Sequence, residues 1–119
     1  METLVLIKPD AVARENWLYI IRMYEERSLV GIVETKLFPD GLPFPKARAL
    51  YAEHRRKEFY NSLMTTMTSS GVVIALRIRG ARDIDAVDLV RSISDGCKDA
   101  VQCSATEEDA RRELKVIFG

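Results

Sequence analysis

The sequence is poor in the residue types that build metal sites and disulfide frameworks. Its 119 residues include one histidine, His54, and two cysteines, Cys97 and Cys103. The spacing of these residues matches no common metal-binding motif, so we predict no zinc site and no other metal ligands. Two cysteines in such a chain are expected to be reduced thiols rather than a disulfide bridge.

The sequence also lacks long apolar runs and an excess of charge of either sign. No run approaches membrane-spanning length and no signal-peptide pattern opens the chain, so we expect a cytoplasmic protein with no membrane partner. Eighteen basic and eighteen acidic side chains cancel, which argues against a nucleic-acid partner but leaves a local basic patch open. With 47% hydrophobic and 30% charged residues, residues 1–119 are predicted to form a single domain with one modest core.

The most informative stretch is Thr3-Leu4-Val5-Leu6-Ile7-Lys8-Pro9-Asp10. Its consecutive apolar residues predict a short buried strand. Pro9 ends the hydrogen-bond ladder and suits the first turn of a helix. A lysine at the end of a core strand, beside a helix start, can hold an anionic group. Lys8 is therefore a candidate phosphate ligand, and the alternative is a solvated strand end.

The spacing of apolar residues predicts the other elements. Helices are predicted over residues 15–27, 46–57, 58–68, 83–94 and 107–116, and strands over 31–38, 72–78 and 99–103, with a loop at 39–45. The 31–38 strand has a wetter face and is expected near a sheet edge, whereas the 72–78 strand is apolar throughout and is expected at the centre. Thr106 is the expected N-cap of the last helix. Without the extra helices the order is βαββαβ, which predicts a ferredoxin-like α+β sandwich.

Several blocks of the sequence, in the same order, resemble the nucleoside diphosphate kinase family. Leu6-Ile7-Lys8-Pro9-Asp10-Ala11-Val12 is similar to the family's amino-terminal signature. Tyr51-Ala52-Glu53-His54-Arg55-Arg56-Lys57-Glu58-Phe59-Tyr60 is similar to its Tyr-Ala-Glu-His…Lys-Pro-Phe-Phe block, with Glu58 in place of proline. Three further segments continue the match: 20–27, 67–73 and 110–114. The resemblance covers most of the chain and implies a nucleoside diphosphate kinase-like fold.

Members of that family transfer the γ-phosphoryl group of a nucleoside triphosphate to a diphosphate through a phosphohistidine, with magnesium balancing the phosphate charge. The histidine lies in an Asn-x-x-His-Gly-Ser-Asp pattern, which Asp99-Ala100-Val101-Gln102-Cys103-Ser104-Ala105 matches here. The resemblance places Gln102 at the nucleophile position, and the lone pair of a carboxamide nitrogen is delocalised into its carbonyl. The two-step transfer should therefore fail. Ser104 and Glu108 match residues that orient the histidine in the family.

A missing loop is the second departure from the family. In the family a long loop follows the helix that carries the residue matched by Arg91. That loop supplies a threonine and an arginine to the phosphates and packs subunits around a threefold axis. Here only a few residues separate Arg91 from Asp99, which replaces the asparagine of the pattern. The resemblance thus implies a weakened phosphate clamp, and a homodimer joined along residues 32–38 and the first long helix rather than a hexamer.

The resemblance further implies a nucleotide pocket without an intact catalytic group. Lys8 and Arg91 match residues that contact phosphates, although Arg91 could be a plain surface cation. Phe59 matches the aromatic that stacks on the base, and Tyr51 matches a pocket wall, with core packing as the alternative for both. No cofactor is firmly implied, and magnesium would arrive with a bound nucleotide.

Three functions stay open at this point. The leading one is a phosphotransfer-deficient pseudoenzyme with a regulatory or structural role and residual binding of a nucleoside di- or triphosphate. The second is an active truncated kinase that transfers the γ-phosphoryl group of ATP to a nucleoside diphosphate. It needs another free lone pair near Gln102, for which Cys103 and His54 are the chemical candidates. The third is a dimeric interaction module with an empty pocket.

Overall fold

The computed structural model describes residues 1–119 and contains four strands and six α-helices. Their bounds are β1 (Glu2–Ile7), α1 (Pro9–Ala13), α2 (Trp17–Glu25), β2 (Val30–Phe38), α3 (Phe44–Leu50), α4 (Tyr60–Ser69), β3 (Val73–Gly80), α5 (Ala86–Ser94), β4 (Val101–Cys103) and α6 (Glu107–Phe118). Two short 3₁₀ turns follow α3 and α5, at Ala52–His54 and Asp95–Cys97. None of the helices combines the length and the hydropathy that crossing a membrane requires.

The four strands form one antiparallel sheet in the order β2-β3-β1-β4. With α1, α3, α4 and α6 set aside, this is the βαββαβ arrangement, and the predicted ferredoxin-like α+β sandwich is confirmed. As its apolar run predicts, β3 lies inside the sheet and pairs with both β1 and β2. As its wetter composition predicts, β2 lies at one edge of the sheet.

The sheet separates two hydrophobic clusters, because successive residues of a strand point to opposite faces. Leu4 and Leu6 of β1 pack with side chains of α3, α4 and α6 on one side, which we call the α6 face. Val5 and Ile7 pack with side chains of α2 and α5 on the other side, which we call the α5 face. Each residue of β1 and β4 can thus be assigned to one of two surroundings.

The helix predicted at 46–57 is shorter than its sequence pattern suggests and begins earlier. Pro43 is extended and Pro45 lies in the first turn, so the proline-rich stretch starts α3 at Phe44 instead of forming a loop to its end. The helix stops at Leu50. Residues 55–59 are all exposed, so a continued helix would have no apolar face to bury.

The last two helices begin where polar side chains cap them. α5 starts after the predicted residue 83, because Asp83 has a φ of +64° and Asp85 accepts a hydrogen bond from the Asp88 backbone N–H. The predicted N-cap of α6 is confirmed, since the Thr106 hydroxyl accepts a hydrogen bond of 3.1 Å from the Asp109 backbone N–H.

The carboxyl end of α6 is held by two lysines that the sequence analysis did not single out. Lys46 Nζ donates to the carbonyls of Val116 and Ile117, at 2.6 and 3.3 Å. Lys36 Nζ donates to the Ile117 carbonyl at 3.3 Å. Positive charge at this end interacts favourably with the negative end of the helix dipole. The two lysines also provide hydrogen-bond donors for carbonyls that have no partner within the helix. These contacts fix α6 against β2 and α3, and hence fix the side chains that α6 sends toward the sheet.

Candidate functional site

Gln102, which the resemblance places at the nucleophile position, lies on β4 opposite Leu6 of β1. Its side chain therefore belongs to the α6 face. The hydroxyl of Tyr51, just after α3, donates a hydrogen bond of 2.7 Å to the carbonyl oxygen Oε1 of Gln102. Tyr51 is only 1% exposed, and this burial raises the pKa of its phenol well above the ordinary range. The hydroxyl consequently stays protonated near neutral pH and acts as a donor.

Lys8 follows β1 and lies on the same face as Gln102. Its backbone N–H donates to the Ala100 carbonyl at 2.9 Å, which extends the pairing of β1 with β4 past Ile7 and Val101. Lys8 and Gln102 are therefore diagonal neighbours on the two strands. The structure thus brings the candidate phosphate ligand beside the candidate nucleophile position.

An open cleft of about 600 Å³ lies beside Lys8, and Asp10 and Asp99 also line it. The two carboxylates offset the charge of the lysine and would repel phosphate. No group of three or more histidine, cysteine, aspartate or glutamate side chains in the chain could hold a metal ion. The protein's own side chains therefore provide no closed magnesium site. Magnesium would be held mainly by the phosphate oxygens of a nucleotide.

A buried pair, Ser104 and Glu113, lies on the α6 face after β4. The Ser104 hydroxyl donates to Glu113 Oε1 at 2.7 Å, and both residues are buried. Burial raises the pKa of Glu113, while the hydrogen bond from Ser104 and the charge of Arg112 act in the opposite direction. Arg112 Nη2 lies 3.6 Å from Glu113 Oε2 and 3.7 Å from Glu53 Oε1. This network links α6 to the turn after α3.

Glu108, which the resemblance matches to a residue that orients the histidine, lies away from Gln102 and Ser104. It is exposed in the first turn of α6 and lines another cavity beside Glu2, at the opposite end of β1 from Lys8. The glutamate beside Ser104 is Glu113, because it lies on the inward face of α6, whose buried residues are Ala110, Glu113, Leu114 and Ile117. That spacing is the signal in the sequence that could have identified it.

Arg91 is exposed on α5, and its guanidinium donates to the Ala105 carbonyl at 3.0 Å. α5 reaches β4 through residues 95–100 alone, so no long loop intervenes. Arg91 does not line the cleft beside Lys8. It lines a separate cavity of about 230 Å³ together with Ser94, Asp95, Lys98, Val101 and Cys103. The structure therefore does not bring the two candidate phosphate ligands together.

Phe59, the candidate base-stacking residue, is 50% exposed at the start of α4. The His54 ring centroid lies 5.6 Å from that of Phe59, and Lys57 Nζ lies 5.6 Å from the Phe59 centroid. Much of the ring is thus free to stack on a planar partner. The polar and ring contacts of His54 are with Glu53 and Phe59, and its Nδ1 is buried without a partner. None of these contacts involves Gln102.

Cys103 follows Gln102 on β4 but belongs to the α5 face. Its thiol donates to the Ser94 hydroxyl at 3.2 Å, and that hydroxyl is also hydrogen-bonded to Tyr24. Burial raises the pKa of the Cys103 thiol, so the thiol is protonated near neutral pH and weakly nucleophilic. The thiol and the Gln102 carboxamide therefore lie on opposite sides of the sheet.

Comparison with known sequences gives consistent matches. The profile of the nucleoside diphosphate kinase family matches residues 1–97. The chain is 38% identical over 96 residues to the nucleoside diphosphate kinase of Thermoplasma volcanium. That alignment covers 81% of this chain but only 63% of the relative, which is less than two thirds. It is 34% identical over 134 residues to the enzyme of Pyrococcus abyssi, covering 98% of this chain and 82% of that one. The latter alignment is longer than this 119-residue chain and therefore contains gaps in it.

Solved structures match the fold over almost its whole length. The nucleoside diphosphate kinase of Aquifex aeolicus superimposes with a TM-score of 0.84 at 26% identity, covering 99% of this chain and 94% of that one. The enzyme of Encephalitozoon cuniculi gives the same TM-score of 0.84 at 23% identity and supports the fold alone. The profile match, the sequence identities and the superposition together show that the chain belongs to the nucleoside diphosphate kinase family.

Proposed function

We propose that this chain is a phosphotransfer-deficient member of its family, with residual nucleotide binding and a regulatory or structural role. The observation that carries the proposal is the side chain at the centre of the site. Gln102 faces Tyr51 on the α6 face, and its carboxamide has no lone pair basic enough to form a useful phosphoryl intermediate. The two free cysteine thiols fit a reducing, cytoplasmic location.

The neighbouring groups offer no substitute nucleophile for Gln102. Cys103 is protonated and on the opposite face of the sheet. His54 is engaged with Phe59 and Glu53. The Ser104 hydroxyl donates a hydrogen bond to Glu113, which could act as its base. Ser104 is only 1% exposed, however, so a phosphate cannot reach its oxygen. These positions argue against the hypothesis that the chain is an active truncated kinase.

Residual nucleotide binding is supported by the groups that remain accessible. Lys8 lines the open cleft, and Phe59 presents a half-exposed ring on which a base could stack. The contacts that would strengthen binding are reduced, because Arg91 is tied to Ala105 and Asp99 adds a carboxylate to the cleft. We therefore expect weak binding of a nucleoside di- or triphosphate with its magnesium ion.

We also propose that the chain forms a homodimer through β2 and α2. β2 is an edge strand, so the edges of two copies can pair into one continuous sheet. Apolar side chains are exposed on both elements, with Tyr19 of α2 72% exposed and Leu37 of β2 60% exposed. A second copy would cover this surface. Light scattering should report a dimer, and a compact hexamer would contradict the assignment.

A coupled assay with ATP and GDP tests the central proposal. We expect no turnover above the protein-free blank, with the Aquifex aeolicus enzyme as the positive control in the same mixture. Incubation with γ-labelled ATP followed by intact-mass and peptide analysis should find no phosphorylated side chain. Turnover comparable to that of the control, or a phosphorylated Cys103 or His54, would restore the active-kinase alternative.

A further inference from the structure

The hydrogen bond from Tyr51 determines which end of the Gln102 carboxamide is free. A buried hydroxyl must find an acceptor for its proton, and Gln102 Oε1 accepts it at 2.7 Å. If the carboxamide were reversed, its NH₂ group would donate to the Tyr51 oxygen. The Tyr51 proton would then lose its acceptor in a position that is only 1% exposed. The observed orientation therefore satisfies a donor that the reverse orientation would leave unpaired.

The consequence is that the Nε2 group of Gln102 points away from Tyr51. A primary amide carries two N–H donors, and Gln102 Nε2 donates to no other protein group, while the residue is only half-buried. Lys8 is its diagonal neighbour on the same face. The Cα atoms of such neighbours lie about 7–8 Å apart, and their Cβ atoms somewhat closer. Both side chains extend beyond their Cβ atoms, so the Lys8 ammonium and the Gln102 amide can donate to oxygens of one phosphate group.

We propose that Gln102 is an anion-binding residue whose Nε2 donates to a phosphate oxygen of a bound nucleotide, with Tyr51 as the positioning residue that fixes its orientation. The inference rests on the proposed function, because it takes a nucleoside di- or triphosphate as the ligand. It assigns this position a role other than nucleophilic attack, since the Gln102 amide donates hydrogen bonds to phosphate oxygens and forms no bond to phosphorus.

The charged side chains of the adjoining cleft and of the same face explain why a neutral donor suits this position. Lys8 is the cation of the adjoining cleft, and Asp10 and Asp99 are its carboxylates. Glu113, on α6, is hydrogen-bonded to Ser104 on the same face. An amide adds hydrogen-bond donors without requiring a further counter-charge, and it keeps those donors over the whole physiological pH range.

The inference is directly testable because Gln102 is the only glutamine in the chain. Labelling with ¹⁵N in the glutamine side chain gives a single NH₂ pair in a heteronuclear spectrum. We expect this pair to shift on titration with Mg·ADP or Mg·ATP and to stay in place with adenosine, which lacks phosphate. A pair that stays in place while the backbone signals of Lys8 and Asp99 shift with nucleotide would overturn the inference and leave nucleotide binding intact.

Variants separate the donor from its surroundings. Gln102→Glu keeps the shape and an acceptor for Tyr51 but removes both donors and adds a negative charge, so the dissociation constant for Mg·ATP should rise about tenfold or more. Tyr51→Phe removes the orienting donor and should shift the NH₂ pair of the free protein and weaken binding less. Asn16→Asp is the matched control, because it makes the same amide-to-carboxylate change at an exposed N-cap of α2.

Equal affinities of the Gln102→Glu and Asn16→Asp variants for Mg·ATP would reject the role of Gln102. If no signal of the unsubstituted protein moves at saturating nucleotide, the anion-binding role and the residual binding both fail. Absence of phosphotransfer is judged separately by the coupled assay. The failure of the inference and the failure of the central proposal are therefore distinguishable.

Discussion

The candidate phosphate and nucleophile positions on the two sides of the sheet around β4 differ in how firmly their side chains are held. On the α6 face, Tyr51, Gln102, Ser104 and Glu113 form two short hydrogen bonds in buried or half-buried surroundings. On the α5 side, the buried hydrogen bonds join Tyr24, Ser94 and Cys103. The candidate phosphate ligand of that side, Arg91, is exposed and reaches only a backbone carbonyl. Gln102 and Ser104 are thus held by buried partners, whereas Arg91 is held at the surface by one contact.

This difference follows from what else the residues do. Tyr51 belongs to the core of the α6 face, and Glu113 shares the inward side of α6 with core residues. Their removal would damage the fold itself. Arg91 contributes little packing, so it is less constrained by the fold. The presence of Tyr51 and Glu113 beside β4 is therefore weak evidence for activity, because packing alone is enough to explain it.

Replacing the two candidate pocket aromatics should give the largest contrast. Tyr51→Ala removes a buried side chain from the core and should lower the free energy of unfolding by about 3–5 kcal/mol. Phe59→Ala removes a half-exposed ring and should change it by less than about 1 kcal/mol. Urea unfolding followed by circular dichroism measures both. Equal losses would mean that Phe59 is a packing residue after all.

Replacing the two candidate phosphate ligands should separate the faces by affinity. Lys8→Ala should raise the dissociation constant for Mg·ATP about tenfold, because it removes a charge-assisted hydrogen bond. Arg91→Ala should change it by no more than about twofold, since Arg91 lies in another cavity and is tied to Ala105. Isothermal titration calorimetry gives both values. A larger effect of Arg91 would show that it swings into the cleft when nucleotide binds.

Replacing two lysines in turn tests whether Lys46 anchors α6, with Lys98 on the α5 side as the comparison. Lys46→Ala loses hydrogen bonds to the carboxyl end of α6 and should lower the free energy of unfolding by about 0.5–1 kcal/mol. Lys98→Ala, at an exposed position near β4, is the matched control and should change it by less than about 0.5 kcal/mol. Thermal denaturation of both variants measures the difference, and equal shifts would argue against anchoring.

The smallest effect expected is a difference in pH dependence between two glutamates. The pKa of Glu113 is raised by burial, so the folded state holds its proton more tightly and this contribution to stability fades as pH rises through the folded pKa. Burial also acts to raise the pKa of Glu2, but hydrogen bonds from Arg79 and Arg77 lower it overall. Its contribution fades as pH falls.

The free energy of unfolding, measured from pH 3 to 7, should therefore respond in opposite senses to the two substitutions. Relative to the unsubstituted protein, Glu113→Gln should gain stability with rising pH, and Glu2→Gln should lose it. Parallel curves would contradict the assigned surroundings of the two carboxyl groups.

Local sequence patterns were sufficient to predict the sheet. The apolar run at 72–78 and the wetter run at 31–38 identify the interior and edge strands. A strand that is buried on both faces is apolar throughout, whereas a strand with a solvated face also contains polar residues. The cap at Thr106 was equally readable, since its partner is three residues away. The end of α3 was not readable, because it depends on which residues find a core to pack against.

The site was less predictable because its contacts are distant in sequence. Tyr51 and Gln102 are 51 residues apart, and their hydrogen bond depends on how the packing of α3 against α4 and α6 places Tyr51. The resemblance located Gln102 and Ser104 but named Glu108, and not Glu113, as the glutamate of the site. Counting the inward positions of α6 would have favoured Glu113, since it shares a helix face with Ala110 and Ile117.

β4 comprises only Val101–Cys103 and pairs with β1 alone. So short a border strand is expected to detach transiently while the other three strands stay together, and its amide protons should exchange with solvent long before those of β3. Gln102 belongs to this strand, so the site depends on a strand that is expected to open readily. A ligand or partner that binds β4 would order this strand without having to stabilise the rest of the molecule.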